Sequence, residues 1–250
     1  MATELIILIP AFALIAFVYS SVGLGGGSSY TAILTIVGLS YIMIPTISLT
    51  LNIIVTAGAT VQFLRHGHLK ARILIPLLMA SIPAAWIGGR LHLPEMTFQI
   101  LLLITLTAVA IRIYFWSDPV FDVPQTAGFR WSVSLVIGAI LGFIAGAVGI
   151  GGGIYLVPVL IMVRIGSTRE AAATGAAFIL FNSLTGIAAR ASWSDVPWDL
   201  LIPLGITVAI AGLAGSHFGS TKWSSRRIQR VLGMVILVAI GLLLHRLLLA

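Results

Sequence analysis

Val22-Gly23-Leu24-Gly25-Gly26-Gly27 returns further along the chain as Val148-Gly149-Ile150-Gly151-Gly152-Gly153. In each copy the run follows a long apolar stretch and precedes a short one, 28–38 in the first copy and 154–165 in the second. Consecutive glycines break a helix, because glycine gives up the most backbone freedom on ordering and reaches left-handed conformations at no steric cost. A short apolar segment of 11 or 12 residues after such a break is too short to cross about 30 Å of hydrocarbon as a helix. Short, glycine-interrupted segments at matching places in two halves point to a transporter's binding site.

Working outward, the duplication extends over the whole chain. Ile33-Leu34 aligns with Val159-Leu160, and in the same order Asn52 pairs with Asn182, Pro76 with Pro203, Gly88 with Gly215 and Gln99 with Gln229. Common order makes weak matches into a repeat. Two halves result, 1–118 and 131–250, joined by the polar linker 119–130. Each offers five apolar segments: 5–22, 28–38, 46–64, 73–91 and 97–116, then 131–149, 154–165, 171–190, 200–219 and 228–248.

Composition names the solvent. Of 250 residues 59% are hydrophobic and 8% charged, against about 25% charged in soluble domains. All seven acids fall at or between the ends of apolar runs, as do five of six tryptophans, Trp116, Trp131, Trp193, Trp198 and Trp223. Indoles favour that interfacial depth. The fold expected is an all-α polytopic integral membrane protein of the cell (inner) membrane, with ten segments. The first, lacking a basic leader, reads as a membrane helix rather than a removed signal peptide.

The net charge of +7 is spread through short loops, without interleaved aromatics, so nucleic acid is not an expected partner. Matched loops differ in charge. Arg65, Lys70 and Arg72 face Asp195 and Asp199 across the repeat, and the basic 222–227 loop faces Arg90 and Glu95. Basic loops stay cytoplasmic, so the two halves are expected to be inverted, with both termini outside.

No cysteine is present, and no histidine cluster, paired carboxylates or Ser-His-Asp set appears. The glycine runs lack the Gly-Lys-Ser/Thr of a phosphate loop. Neither an enzyme nor a metal or cofactor is expected. The partners expected are the lipid bilayer and a small anionic solute, and the sequence leaves self-association open. No carboxylate lies within a span, where cation carriers place one. The candidate site is therefore an anion cradle of exposed backbone N–H groups at the starts of the two short helices. Its residues are Gly25, Gly26, Gly27, Ser28 and Ser29 with Asn52, and Gly151, Gly152, Gly153 and Tyr155 with Asn182. Close helix packing is the competing role for the glycines, and an interhelical hydrogen bond for each asparagine.

With these residues in view, the chain resembles the sulfite exporter TauE/SafE family. The likeness rests on the two glycine runs, Pro158 and Leu160 after the second, Ala172-Ala173-Thr174-Gly175, Asn182-Ser183, and the spacing of Gly205, Gly212 and Gly215. Ala32 departs from it, standing where a proline like Pro158 is expected. The resemblance implies a permease, by alternating access, for sulfite, sulfonates or related organosulfur anions. Small carboxylates as solutes, or a scaffold that transports nothing, are the alternatives.

Overall fold

A computed structural model describes residues 2–91, 93–115, 126–190 and 197–221, together with 237, 240, 241 and 244. The regular structure among them is helical: α1 Ala2–Ser21, α2 Gly27–Val37, α3 Ile44–Arg65, α4 Ala71–Gly89, α5 Glu95–Phe115, α6 Ala127–Val148, α7 Gly153–Met162, α8 Thr168–Arg190 and α9 Trp198–Thr221. The expected segment 228–248 and most of the linker lie outside the described residues. The linker's last residues belong to α6, which starts at Ala127 although its apolar run begins beyond Arg130.

Among the described residues, five helices (α3, α4, α6, α8 and α9) are long and apolar enough to cross a membrane. Their outer faces are greasy: Val61, Met79, Val136, Leu184, Ile206 and Ile210 all stand exposed. In water that exposure would be costly, whereas against acyl chains it costs nothing. The protein is a multi-pass, all-helical membrane protein.

The two short helices begin at breaks. Gly26 caps α2 with φ 90° and Gly152 caps α7 with φ 75°, both left-handed and neither aided by a side-chain cap. With 11 and 10 residues they reach about 15–16 Å, half the hydrocarbon thickness. After its break the chain turns back. The Phe12 ring stacks on Tyr30 at 4.7 Å, and Tyr19 Oη shares a 2.6 Å hydrogen bond with Ser29 Oγ. So α2 returns beside α1 before the chain enters α3.

Helix α4 lies along α6 and α1 along α9, with α3 against α8 between them. Gly138, Gly142 and Gly146 of α6 sit on Leu77, Ser81 and Ala85 of α4, where any Cβ would overlap the facing backbone. The same four-residue step on both helices makes them run parallel. Gly215 and Gly219 of α9 press likewise on Phe17 and Ser21 of α1. Small residues let backbones approach closely, which is how helices associate where lipid removes the hydrophobic drive. Exchanging α1–α4 for α6–α9 maps this set of neighbours onto itself.

The loops 66–70 and 163–167 share one face. Partial burial and then the Arg169 cation hold the His68 ring below its ordinary pKa, and a Cβ on Gly166 would lie 2.9 Å from Ile73. Loop 38–43 caps the other end of α3. Since the chain has no cysteine, single cysteines report sidedness directly. His66→Cys and Ser167→Cys should react with an impermeant thiol reagent from the cytoplasmic side, and Ser40→Cys from the other. Labelling of Ser40→Cys and His66→Cys from the same side would refute this arrangement.

Candidate functional site

Asn52 is the meeting point of the two breaks. It lies about 12 Å into α3, near the middle of that helix, and is fully buried. Its Nδ2 donates a 3.2 Å hydrogen bond to Ile150 O, in the second glycine run. The amide also lies where Cβ atoms on Gly25 and Gly27 would be, and a Cβ on Gly151 would come within 2.9 Å of Nδ2. A Cβ on Gly27 would lie 2.9 Å from Ile150 O, so the runs also touch each other. Glycine at these places permits close approach as well as the turn itself.

Around the amide stand the helix ends. The first intrahelical bonds of α2 and α7 are Tyr30 N–H to Gly26 O, 2.9 Å, and Tyr155 N–H to Gly152 O, 3.3 Å. The N–H groups of Gly27, Ser28, Ser29, Gly153 and Ile154 meet no acceptor among the described residues. Each such end carries about half a positive charge. Ser28 and Ser29 direct their hydroxyls to Tyr19 of α1, which anchors the first turn of α2. Ser48 of α3 ties it from the other side, donating to Gly27 O at 3.0 Å and accepting from Thr31.

Several buried polar atoms are left over here. Asn52 Oδ1, Asn182 Oδ1, Tyr30 Oη and Ser183 Oγ have no hydrogen-bond partner, and a Cβ on Gly151 would lie 3.1 Å from that Oγ. A buried acceptor without a donor costs about 1–3 kcal/mol, so each calls for a reason. Asn182 sits differently. Its Nδ2 donates to Ser81 Oγ of α4 at 3.1 Å and to Phe178 O at 2.8 Å, which uses both of its N–H bonds. Asn182 thus ties α8 to α4, while Asn52 keeps one N–H unused. Tyr155 is half-buried in the first turn of α7.

The second break is flanked by a cation. The Arg190 guanidinium donates to Gly186 O at 3.2 Å, to Gly146 O, and to Ala147 O at 3.2 Å. It caps the negative C-terminal end of α6 just before the chain breaks at Gly149.

Of the residues singled out in the sequence, Gly25, Gly27, Asn52 and Gly151 meet at one amide, and Gly26, Ser28, Ser29, Gly152 and Gly153 adjoin them in the two runs and helix starts. Sequence reasoning did not find Ile150 O, a main-chain acceptor that its apolar side chain gives no hint of. Nor did it find Ile179, whose side chain fills the place of a Cβ on Gly153.

Comparison with known proteins bears on this arrangement. The profile of the family described as sulfite exporter TauE/SafE matches residues 8–243. The probable membrane transporter protein y4hK of Sinorhizobium fredii is 36% identical over 250 residues, 97% of this chain and 98% of its own. The probable membrane transporter protein YunE of Bacillus subtilis is 27% identical over 118 residues, 47% of this chain and 42% of its own. No solved structure matches the chain.

The glycine geometry predicts graded losses of stability. Gly23 has φ 74°, and a Cβ there would enter the Ala172 main chain. Gly128 has open space around it. Gly23→Ala should lose about 3 kcal/mol or more through strain and overlap, whereas Gly128→Ala stays within about 1 kcal/mol of the parent. In thermal unfolding of purified protein that is about 6 °C or more against almost none. Equal melting temperatures would mean that the break can relax around a side chain.

Proposed function

The chain belongs to the sulfite exporter TauE/SafE family of membrane transporters, and from that premise we propose that it is a permease for small sulfur-containing anions, sulfite or a sulfonate, bound where the two breaks meet. The observation that carries the reading is the pair of unsatisfied helix starts beside one buried amide, Asn52. An anion leaving water must recover its lost hydration. Two helix starts supply about one positive charge between them, enough to offset a single negative charge without a lysine or arginine. Asn52 adds its unused N–H, and the Ser183 hydroxyl can turn to donate. Asn182 holds α8 in register from behind through Ser81.

Transport asks that the solute reach this point from each side in turn. The runs are packed on each other, so a solute is admitted only when they part. We read the interchangeable helices as two inverted halves, 1–118 and 131–250, that interleave. The tight α1–α9 and α4–α6 pairs, each joining one half to the other, would each move as a body and rock about the α3–α8 contact. Such rocking supports alternating access.

The test is binding and flux. Sulfite at 100 times its dissociation constant should stabilise purified protein by about 2.7 kcal/mol, and proteoliposomes should carry it. Asn52→Ala, still folded, should bind about ten- to a hundred-fold more weakly, the loss expected for one hydrogen bond to a charge. If purified parent protein neither binds nor carries sulfite, thiosulfate or any sulfonate, the assignment fails.

A further inference from the structure

We propose that the site takes its oxyanion in a protonated, singly charged form, with one acidic O–H that pairs with Asn52. The inference rests on the anion-permease reading above and sharpens it. It comes from the two ends of one amide. Asn52 Nδ2 has two N–H bonds and gives one to Ile150 O. That bond fixes which end of the amide is which, since turning it over would set Oδ1 against Ile150 O. Oδ1 therefore stands against Gly25, buried and without a donor.

A fully ionised oxyanion suits only half of this arrangement. Its oxygens accept from the free N–H groups of α2 and α7, but they offer nothing to Oδ1 and would be repelled by it. A protonated oxyacid anion satisfies both ends together. One of its oxygens accepts from the remaining Nδ2–H while its O–H donates to Oδ1, closing a cyclic pair across the primary amide. Its other oxygens remain for the helix starts. Charge argues the same way, because two helix ends balance about one negative charge rather than two.

Ser183 completes the set: its unpartnered hydroxyl lies across the Gly151 position from Asn52 and can donate or accept as the bound oxygen requires. Hydrogensulfite has the required form. Dianionic sulfite and sulfate lack the donor or the charge, and a sulfonate has the charge without the donor.

Two ligands of equal charge separate the contributions. Binding of sulfite and of methanesulfonate is measured by thermal stabilisation of the purified full chain, from below sulfite's second ionisation to two pH units above it. If only the protonated form binds, the dissociation constant expressed as total sulfite should rise tenfold per pH unit above that ionisation. Methanesulfonate should bind at least tenfold more weakly than hydrogensulfite and show no such slope. Asn52→Leu, which removes both ends of the amide, should reduce that preference to less than threefold. The parent protein's pH series decides the matter even if the variant does not fold.

A flat or rising affinity for sulfite with pH, or a parallel slope for methanesulfonate, would overturn the protonated-form proposal while leaving a sulfur-anion permease standing. Absence of binding by either ligand at every pH would overturn this proposal, and the permease reading falls with it when thiosulfate and the other sulfonates are neither bound nor carried.

Discussion

The hydrogen bond from Asn52 Nδ2 to Ile150 O joins α3 to the second break inside the buried core of a membrane protein, where water does not reach. Non-helical backbone is tolerated there only when protein surrounds it and answers its polar groups. Much of each break answers its own. Leu24 N–H returns to Tyr19 O at 2.8 Å and Gly23 N–H to Ser20 O at 3.1 Å, while Gly149 N–H closes on Ala145 O at 2.9 Å. The Ile150 carbonyl needs an outside donor, and only a side chain held at the same level can supply it. The close packing of α3 against α8 and the short reach of α2 and α7 follow from meeting that need.

The glycines serve two physical ends, and the positions divide between them. Gly26 and Gly152 hold left-handed φ angles that start the short helices. Gly27 and Gly153 have ordinary φ, and are glycine because Asn52 and Ile179 occupy the space a Cβ would need. The close-packing role expected of the glycines is therefore present in the structure, and it leaves the helix starts unpaired rather than covering them. Removing the Cβ is what lets two helix starts approach one amide. The result is a junction closed on itself.

Much of this was legible in the sequence, because helices in lipid announce themselves as apolar runs. The helices α1 to α9 match the expected segments, with the ends displaced by a few residues where charged or glycine residues continue a helix past its apolar part. The two glycine runs pointed to the junction because their residue type is itself the constraint. Main-chain chemistry left no such trace. Ile150 reads as one more apolar residue, yet its carbonyl fixes the orientation of the one amide at the centre. Asn52 and Asn182 looked equivalent because both are amides in apolar helices at similar places. The sequence could not tell which way each side chain turns, and Asn182 turns to Ser81.

That difference shows how the two halves part company. Matched by their contacts, Gly25 meets Asn52 and Thr56 of α3, while Gly151 meets Ile179 and Ser183 of α8. An amide on one side therefore stands opposite an isoleucine on the other, and a methyl-bearing hydroxyl opposite a serine. The same inequality appears in the short helices. Pro158 interrupts α7 where Ala32 continues α2, so α7 has one hydrogen bond fewer to resist bending. Symmetric packing of α1–α9 with α4–α6 gives the halves similar scaffolds, but the polar contents of the junction are lopsided. The amide held by Ile150 O presents a donor end and an acceptor end in fixed, different directions, and the place matched to it across the junction holds Ile179. Loss of symmetry at Asn52 is what gives the junction two chemically different sides.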